Sequence, residues 1–180
     1  FFPAIFISIF LLTVAVGQIF FNGQTTSASK VSRKQGEFSS LESSFHNSSF
    51  STLNGEKVIL SNVDKPFVIL NFWASWCRPC LSEFASLNQF VEKFKKQALV
   101  IGINNDEENP EKIIKKIKDE YSLKFDSILD TDGSIAQSFN VEKFPKSIVF
   151  YKGKVFHIFE KETNFVEKSF ISKIQNQLSM

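Results

Sequence analysis

The sequence predicts an α/β fold: a three-layer α/β/α sandwich around a mixed central sheet, with a short β-hairpin in front and a hydrophobic helix before that. Three observations carry this. Phe67 to Trp73 (Phe-Val-Ile-Leu-Asn-Phe-Trp) is a nearly continuous apolar run, the pattern of a strand buried on both faces of a parallel sheet. Strand and helix patterns then alternate along the chain. The chain closes with two strand patterns around Lys152-Gly153 and a last helical stripe, which adds an antiparallel hairpin to the sheet.

The elements follow in order. Residues 1–21 are almost wholly apolar and carry no charge. As a helix they would extend ~31 Å, about the hydrocarbon thickness of a bilayer. That predicts a transmembrane signal-anchor helix, with a cleaved signal peptide as the second reading. Lys30, Arg33 and Lys34 follow it; taken alone they favour a cytoplasmic flank, and a basic head before Phe1 would reverse the orientation. Residues 22–49 are rich in Ser, Thr, Asn, Gln and Gly, the composition of a flexible polar linker. His46 lies there and is expected to be a solvated surface residue.

The folded domain is expected over residues 50–180. Asn54-Gly55 is a strong turn dipeptide and predicts a hairpin within Ser51 to Leu60. After the Phe67–Trp73 strand, Pro79 suits the first turn of a helix, where its missing N–H costs nothing. Phe84, Leu87, Val91 and Phe94 give that helix an apolar stripe. Ala98 to Ile103 is the next strand. Asn109-Pro110-Glu111 reads as a helix start, and Ile113, Ile114, Ile117 and Tyr121 form that helix's buried face. Asp126 to Leu129 is a short strand, followed by a break at Asp132-Gly133 and a short helix through Phe139. Ser147 to Tyr151 and Val155 to Phe159 form the closing hairpin, where His157 is expected to be structural. Phe165, Val166, Phe170, Ile174 and Leu178 suit the last helix.

The chain has 180 residues, a net charge of +2 and only two cysteines. The small charge gives no footing for nucleic acid. Two cysteines cannot staple a disulfide scaffold. They stand three positions apart, as Trp76-Cys77-Arg78-Pro79-Cys80, so a bond between them closes a small, exposed, exchangeable ring that stabilises little. Zinc needs about four ligands, and the two His residues lack the spacing for it; no metal or other cofactor is expected.

The placement of the pair assigns its chemistry. Cys77 falls where the buried strand ends and the helix begins. Unpaired N–H groups and the positive end of the helix dipole favour thiolate there. Cys77 is therefore the candidate nucleophile. Cys80, one turn deeper, is the candidate resolving thiol. Arg78 between them either lowers the Cys77 pKa further or is a polar loop residue.

The run Asn71-Phe72-Trp73-Ala74-Ser75-Trp76-Cys77-Arg78-Pro79-Cys80 resembles the thioredoxin superfamily, and within it the membrane-anchored TlpA/ResA-like branch of bacterial extracytoplasmic reductases. The resemblance runs from about Phe50 onward. It implies a thioredoxin fold, tuning of the dithiol by Trp76, Pro79 and Asn71, and a cis-proline at Pro145 facing the dithiol, with Phe144 and Pro145 holding an extended substrate segment. Thioredoxins proper carry an Asp where this chain has Asn71, which cannot titrate. The TlpA/ResA-like branch carries a Glu three residues after the second cysteine, and Glu83 holds that position. Glu83 either accepts the Cys80 proton or favours the helix dipole. Bulky Phe144 and charged Lys146 depart from the residues more usual beside the cis-proline. Peroxiredoxins need a Pro and a Thr where Leu70 and Ala74 stand, so peroxidase chemistry is not implied.

The expected function is a thiol–disulfide oxidoreductase that reduces disulfides in exported proteins, with apocytochrome c a client the resemblance suggests. A membrane electron donor would re-reduce the dithiol. The resemblance places the domain on the periplasmic face of a bacterial membrane. A disulfide-donating oxidase or isomerase and a non-catalytic client-binding module are the other readings.

Overall fold

The computed structural model describes residues 34–53 and 55–180. The expected signal-anchor segment lies outside the described residues, and among those residues no helix is long and apolar enough to cross a membrane.

A helix (α1) covers residues 34–47, and the compact unit begins at Ser40 rather than at residue 50. This corrects the expectation of a flexible linker over residues 22–49 for its described part. Leu41 and Phe45 are four residues apart, so they share one helix face, and both are buried. They join a core cluster with Phe72, Phe139 and Phe150. Polar anchors reinforce them: Glu42 accepts from Lys154 Nζ (2.8 Å) and from the Val155 N–H (3.1 Å), and Ser44 Oγ donates to the Ser138 carbonyl (2.6 Å). The surrounding serines hid a two-residue stripe. His46 is exposed as expected, and its ring lies so close to Gly153 that a Cβ there would meet it at 2.7 Å.

The strands β1 (Ser49–Ser51) and β2 (Lys57–Ile59) pair antiparallel as the expected hairpin. The main sheet contains β3 (Phe67–Trp73), β4 (Ala98–Asn104), β5 (Asp126–Leu129), β6 (Lys146–Tyr151) and β7 (Lys154–Phe159) in the order β5-β4-β3-β6-β7. β3, β4 and β5 run parallel, and β6 and β7 are antiparallel additions. The sheet is mixed, as expected, and β3 is its central strand.

Side chains alternate along β3. Phe67, Ile69, Asn71 and Trp73 face one side; Val68, Leu70 and Phe72 face the other. The first side is covered by α2 (Arg78–Lys93), α3 (Pro110–Glu120) and α5 (Lys168–Leu178). The second is covered by residues 40–47 of α1, the β1–β2 hairpin and α4 (Ser134–Ser138). These are the three layers of the expected sandwich.

Several local expectations shift. In α2 the buried apolar stripe after Cys80 is Phe84, Leu87 and Phe90; Val91 is only partly buried. Phe90 belongs to an aromatic cluster with Phe94, Phe165 and Phe170, at centroid distances of 4.8–6.5 Å. Such contacts add to plain burial. Phe165 and Val166 precede α5 instead of lying in it, although Phe165 is fully buried. Asn109 precedes α3 in a left-handed conformation, and its side chain makes no capping bond. His157 packs its ring 4.4 Å from that of Phe159. Gly102 in β4 is a required glycine: a Cβ would meet Trp73 Nε1 at 2.8 Å and disturb its hydrogen bond to Ser127 Oγ (3.2 Å).

Candidate active site

The C-terminal end of β3 delivers the chain to Ser75 and Trp76 and then to α2. Cys77 is the N-cap of α2, Pro79 sits in its first turn, and the Cys80 N–H donates to Cys77 Sγ over 3.3 Å. The same N–H also donates to the Cys77 carbonyl oxygen over 3.0 Å, so the sulfur is a second acceptor for one of the donors that a helix N-terminus exposes. Cys77 and Cys80 are joined as a disulfide with Cα atoms 5.3 Å apart.

The ring is not as open as expected. Cys77 is 5% and Cys80 0% exposed. Both pack into the core cluster that holds Trp73, Ala74 and Phe84. The exposed member of the loop is Trp76, at 68%. Its ring stands edge-on to Phe144, with centroids 5.7 Å apart. Arg78 and Pro79 are also exposed. The Phe144-Pro145 bond is cis, as the resemblance implied. Pro145 is buried and Phe144 half-buried at the entry to β6. The structure thus brings Trp76 and Phe144 together across the cis-proline and the dithiol loop.

A buried polar cluster adjoins the dithiol. Asn71 points from β3 toward α2, and its Nδ2 donates to Glu83 Oε1 (2.7 Å) and to Ser147 Oγ (2.9 Å). The Thr163 N–H donates to Glu83 Oε2 (3.1 Å). Glu83 lies three residues beyond Cys80, on the same helix face. Burial pushes its carboxyl up to about 7; the bonds from Asn71 and Thr163 pull it down, and the nearby charge of Glu162 pushes it up. A carboxyl of that proton affinity is matched to proton transfer near neutral pH. Glu83 also borders a surface depression of about 620 Å³ with Ser82, Ser86, Gln89, Lys161 and Thr163.

Three participants escaped sequence reading. Ser147 and Thr163 reach Glu83's surroundings from 76 residues beyond Asn71 and 80 beyond Glu83, and no local pattern marks such contacts. Asp106 is buried just past β4. It accepts from the Ser75 N–H (2.9 Å), Ser75 Oγ (2.8 Å) and Asn104 Nδ2 (2.7 Å), and so fixes the loop two residues before Cys77. Among the described residues no cluster of His, Cys, Asp and Glu is arranged to hold a metal ion.

The AhpC/TSA family model matches residues 41–165, a span that contains the dithiol, Glu83 and Pro145. The chain belongs to the AhpC/TSA family. Within this family it is 32% identical over 124 residues to the thiol-disulfide oxidoreductase ResA of Bacillus cereus, a match covering 68% of this chain and 71% of ResA. It is also 32% identical to the thioredoxin-like protein YneN of Bacillus subtilis over 56% of this chain, and it spans only 59% of YneN's length. The crystal structure of StoA from Bacillus subtilis superposes with a TM-score of 0.56 at 22% identity, over 65% of this chain and 89% of StoA. That likeness shows the thioredoxin-like fold. The AhpC/TSA assignment and the ResA match bear out the resemblance read from the Asn71–Cys80 run.

Proposed function

We propose that this protein is a thiol–disulfide oxidoreductase that reduces disulfides in exported proteins. The observation that supports this most directly is the Cys77–Cys80 disulfide at the N-terminus of α2, with the Cys80 N–H on the Cys77 sulfur. A reduced Cys77 at that position is held as the reactive thiolate by the helix dipole and by the Cys80 N–H.

The reaction balances as two successive exchanges. The Cys77 thiolate attacks one sulfur of a client disulfide; a Cys77–client bond forms and the client's other sulfur leaves as thiolate. The Cys80 thiol then loses its proton to Glu83. The resulting thiolate attacks the Cys77 sulfur, releases the client's second thiol and closes the Cys77–Cys80 bond. The client gains two electrons and the protein is left in the oxidised state seen here. A membrane electron donor returns two electrons to the pair. Arg78 is exposed beside Cys77 and adds positive charge to the rim of the dithiol loop.

Trp76, Phe144 and Pro145 are the client contacts in this reading. The Phe144 backbone, at the entry to β6, pairs with an extended client segment, as in strand addition. The aromatic pair offers it an apolar platform. Exported apocytochrome c is the client class suggested by the family resemblance. A periplasmic domain tethered by residues 1–21 accords with that class; neither client nor site of action draws on nucleic acid.

A trapping experiment tests the reaction. Cys80→Ser protein mixed with an oxidised Cys-x-x-Cys peptide should accumulate a Cys77–peptide adduct by mass spectrometry, and Cys77→Ser should not. Absence of any adduct overturns the assignment. The reduction potential decides direction: near ~−270 mV supports a reductase, and near ~−120 mV supports the alternative of a disulfide-donating oxidase. Client binding that is unchanged in Cys77→Ser, with no turnover in the unmodified protein, would instead support a binding module.

A further inference from the structure

An asparagine amide can occupy its site in two orientations, and at Asn71 they are chemically opposite. In the orientation present, Nδ2 faces both Glu83 Oε1 (2.7 Å) and Ser147 Oγ (2.9 Å). The cost is visible: Asn71 Oδ1 is buried with no hydrogen-bond partner. Turned over, the amide would place its carbonyl oxygen against Glu83, where it repels a carboxylate and accepts from a protonated carboxyl. With Thr163 N–H on the other oxygen, the pocket is lined by donors, the arrangement that suits an ionised Glu83. Burial acts in the opposite sense.

Two acceptors on Nδ2, the Glu83 carboxylate and the Ser147 hydroxyl, together hold the amide in the orientation that leaves an orphan oxygen. β3 and β6 are paired directly at Asn71 and Ser147, so the serine hydroxyl is fixed to the sheet beside the amide. We propose that Ser147 is a positioning residue: by accepting from Asn71 Nδ2 it keeps the amide's donor side on Glu83, and so sets the proton affinity of the group that takes the Cys80 proton. Ser147 does not touch the reacting sulfurs; it acts through Asn71. Glu162, from the segment after β7, is the charged group that bears on Glu83, Lys161 lines the same depression, and Cys80 stands one turn back on its own helix; β3 and β6 present only the uncharged Asn71 and Ser147.

The role in catalysis rests on the exchange reaction proposed above, but the test is independent of it. The Glu83 titration midpoint is followed by the chemical shift of its carboxyl carbon in the oxidised full chain, with no client present. Asn71→Leu, which removes both donor and acceptor, should raise the midpoint by about one pH unit, a tenfold change in proton affinity. Ser147→Ala should raise it by a smaller amount in the Asn71 background and by nothing once Asn71→Leu is present. An equal shift from Ser147→Ala in both backgrounds, or no shift in either, overturns the proposal. The unmodified protein gives a second readout if Asn71→Leu does not fold. Its Asn71 side-chain amide protons should show cross-relaxation with the Ser147 β-protons; amide protons that lack it overturn the orientation. A protein that reduces no client but shows the predicted midpoints would refute the functional reading alone.

Discussion

The backbone N–H of Cys80 lies 3.3 Å from Cys77 Sγ and donates to it. The second cysteine of the pair thus places a donor on the sulfur of the first. In the reduced protein this bond and the helix N-terminus favour the Cys77 thiolate. Alkylation with iodoacetamide across a pH series should give a Cys77 midpoint well below the ~8.5 of a free thiol. Cys80→Ser should keep this low midpoint, because the N–H remains. A Cys77 midpoint at or above the free value would contradict the assignment of nucleophile.

Glu83 gives stability a pH dependence of known sign. Its folded-state value of about 7 lies above the ordinary carboxylate value of 4.5. The folded protein therefore binds this proton more tightly than the unfolded chain. The stability it contributes is fully present below pH 4.5 and is lost as pH rises toward and through 7. A shift of this size corresponds to about 3 kcal/mol. Glu83→Gln carries no charge to desolvate. Its stability relative to the unmodified protein, from urea unfolding, should climb between pH 4.5 and 7 and level off above. A flat difference across that range would show that Glu83 is not held at a raised value.

Glu83→Gln should also slow the second exchange step. In the proposed reaction the Glu83 carboxylate accepts the Cys80 proton, and such groups typically contribute 10²–10⁴-fold. The Cys77–client adduct should persist in stopped-flow quench experiments at pH 7 and clear faster at high pH, where hydroxide removes the proton. Unchanged adduct lifetime would leave Glu83 a purely structural role.

Asp106 holds the loop before the dithiol through three hydrogen bonds from Ser75 and Asn104. Asp106→Ala strands the buried Asn104 amide and the part-buried Ser75 N–H. We expect a loss of about 2–4 kcal/mol in urea unfolding. Ser75→Ala removes only the hydroxyl bond, so its loss should be about 1 kcal/mol. Equal losses would mean that Asp106 does not act as the shared acceptor.

Gly102→Ala probes the packing behind the site. The new Cβ meets Trp73 Nε1 at 2.8 Å and Phe125 at 3.2 Å, all within a tightly packed layer. Overpacking of this kind costs about 1–3 kcal/mol, with a rise in Trp73 fluorescence mobility as its bond to Ser127 is displaced. A stability within ~0.5 kcal/mol of the unmodified protein would show that the layer yields.

Much of this was legible because its cause is local. The apolar run Phe67–Trp73 specifies a central strand wherever it folds, and the Lys152-Gly153 turn fixes the last hairpin, both residues adopting positive φ. The position of Cys77 at a strand–helix junction, and of Glu83 three residues beyond Cys80, follow from chain order alone. The misreadings also have local causes. Leu41 and Phe45 offer a stripe of only two residues among serines, too weak a pattern to mark a helix before its partners Phe72 and Phe150 are in place. Spacing alone does not separate Phe90 from Val91, because several registers fit a short stripe equally well.

What the sequence determined by itself is the fold class, the dithiol and the carboxyl three residues beyond it, since each depends on residues a turn or a strand apart. Only the tertiary structure decided how that dithiol is set. The coverage of the Cys77–Cys80 ring, the edge-on contact of Trp76 with Phe144, the pinning of Ser75 by Asp106 and the meeting of Asn71, Glu83, Ser147 and Thr163 all join residues distant in the chain. Burial and hydrogen bonds tune a proton affinity through distances in space, and those distances exist only after β3, β6 and α2 have packed.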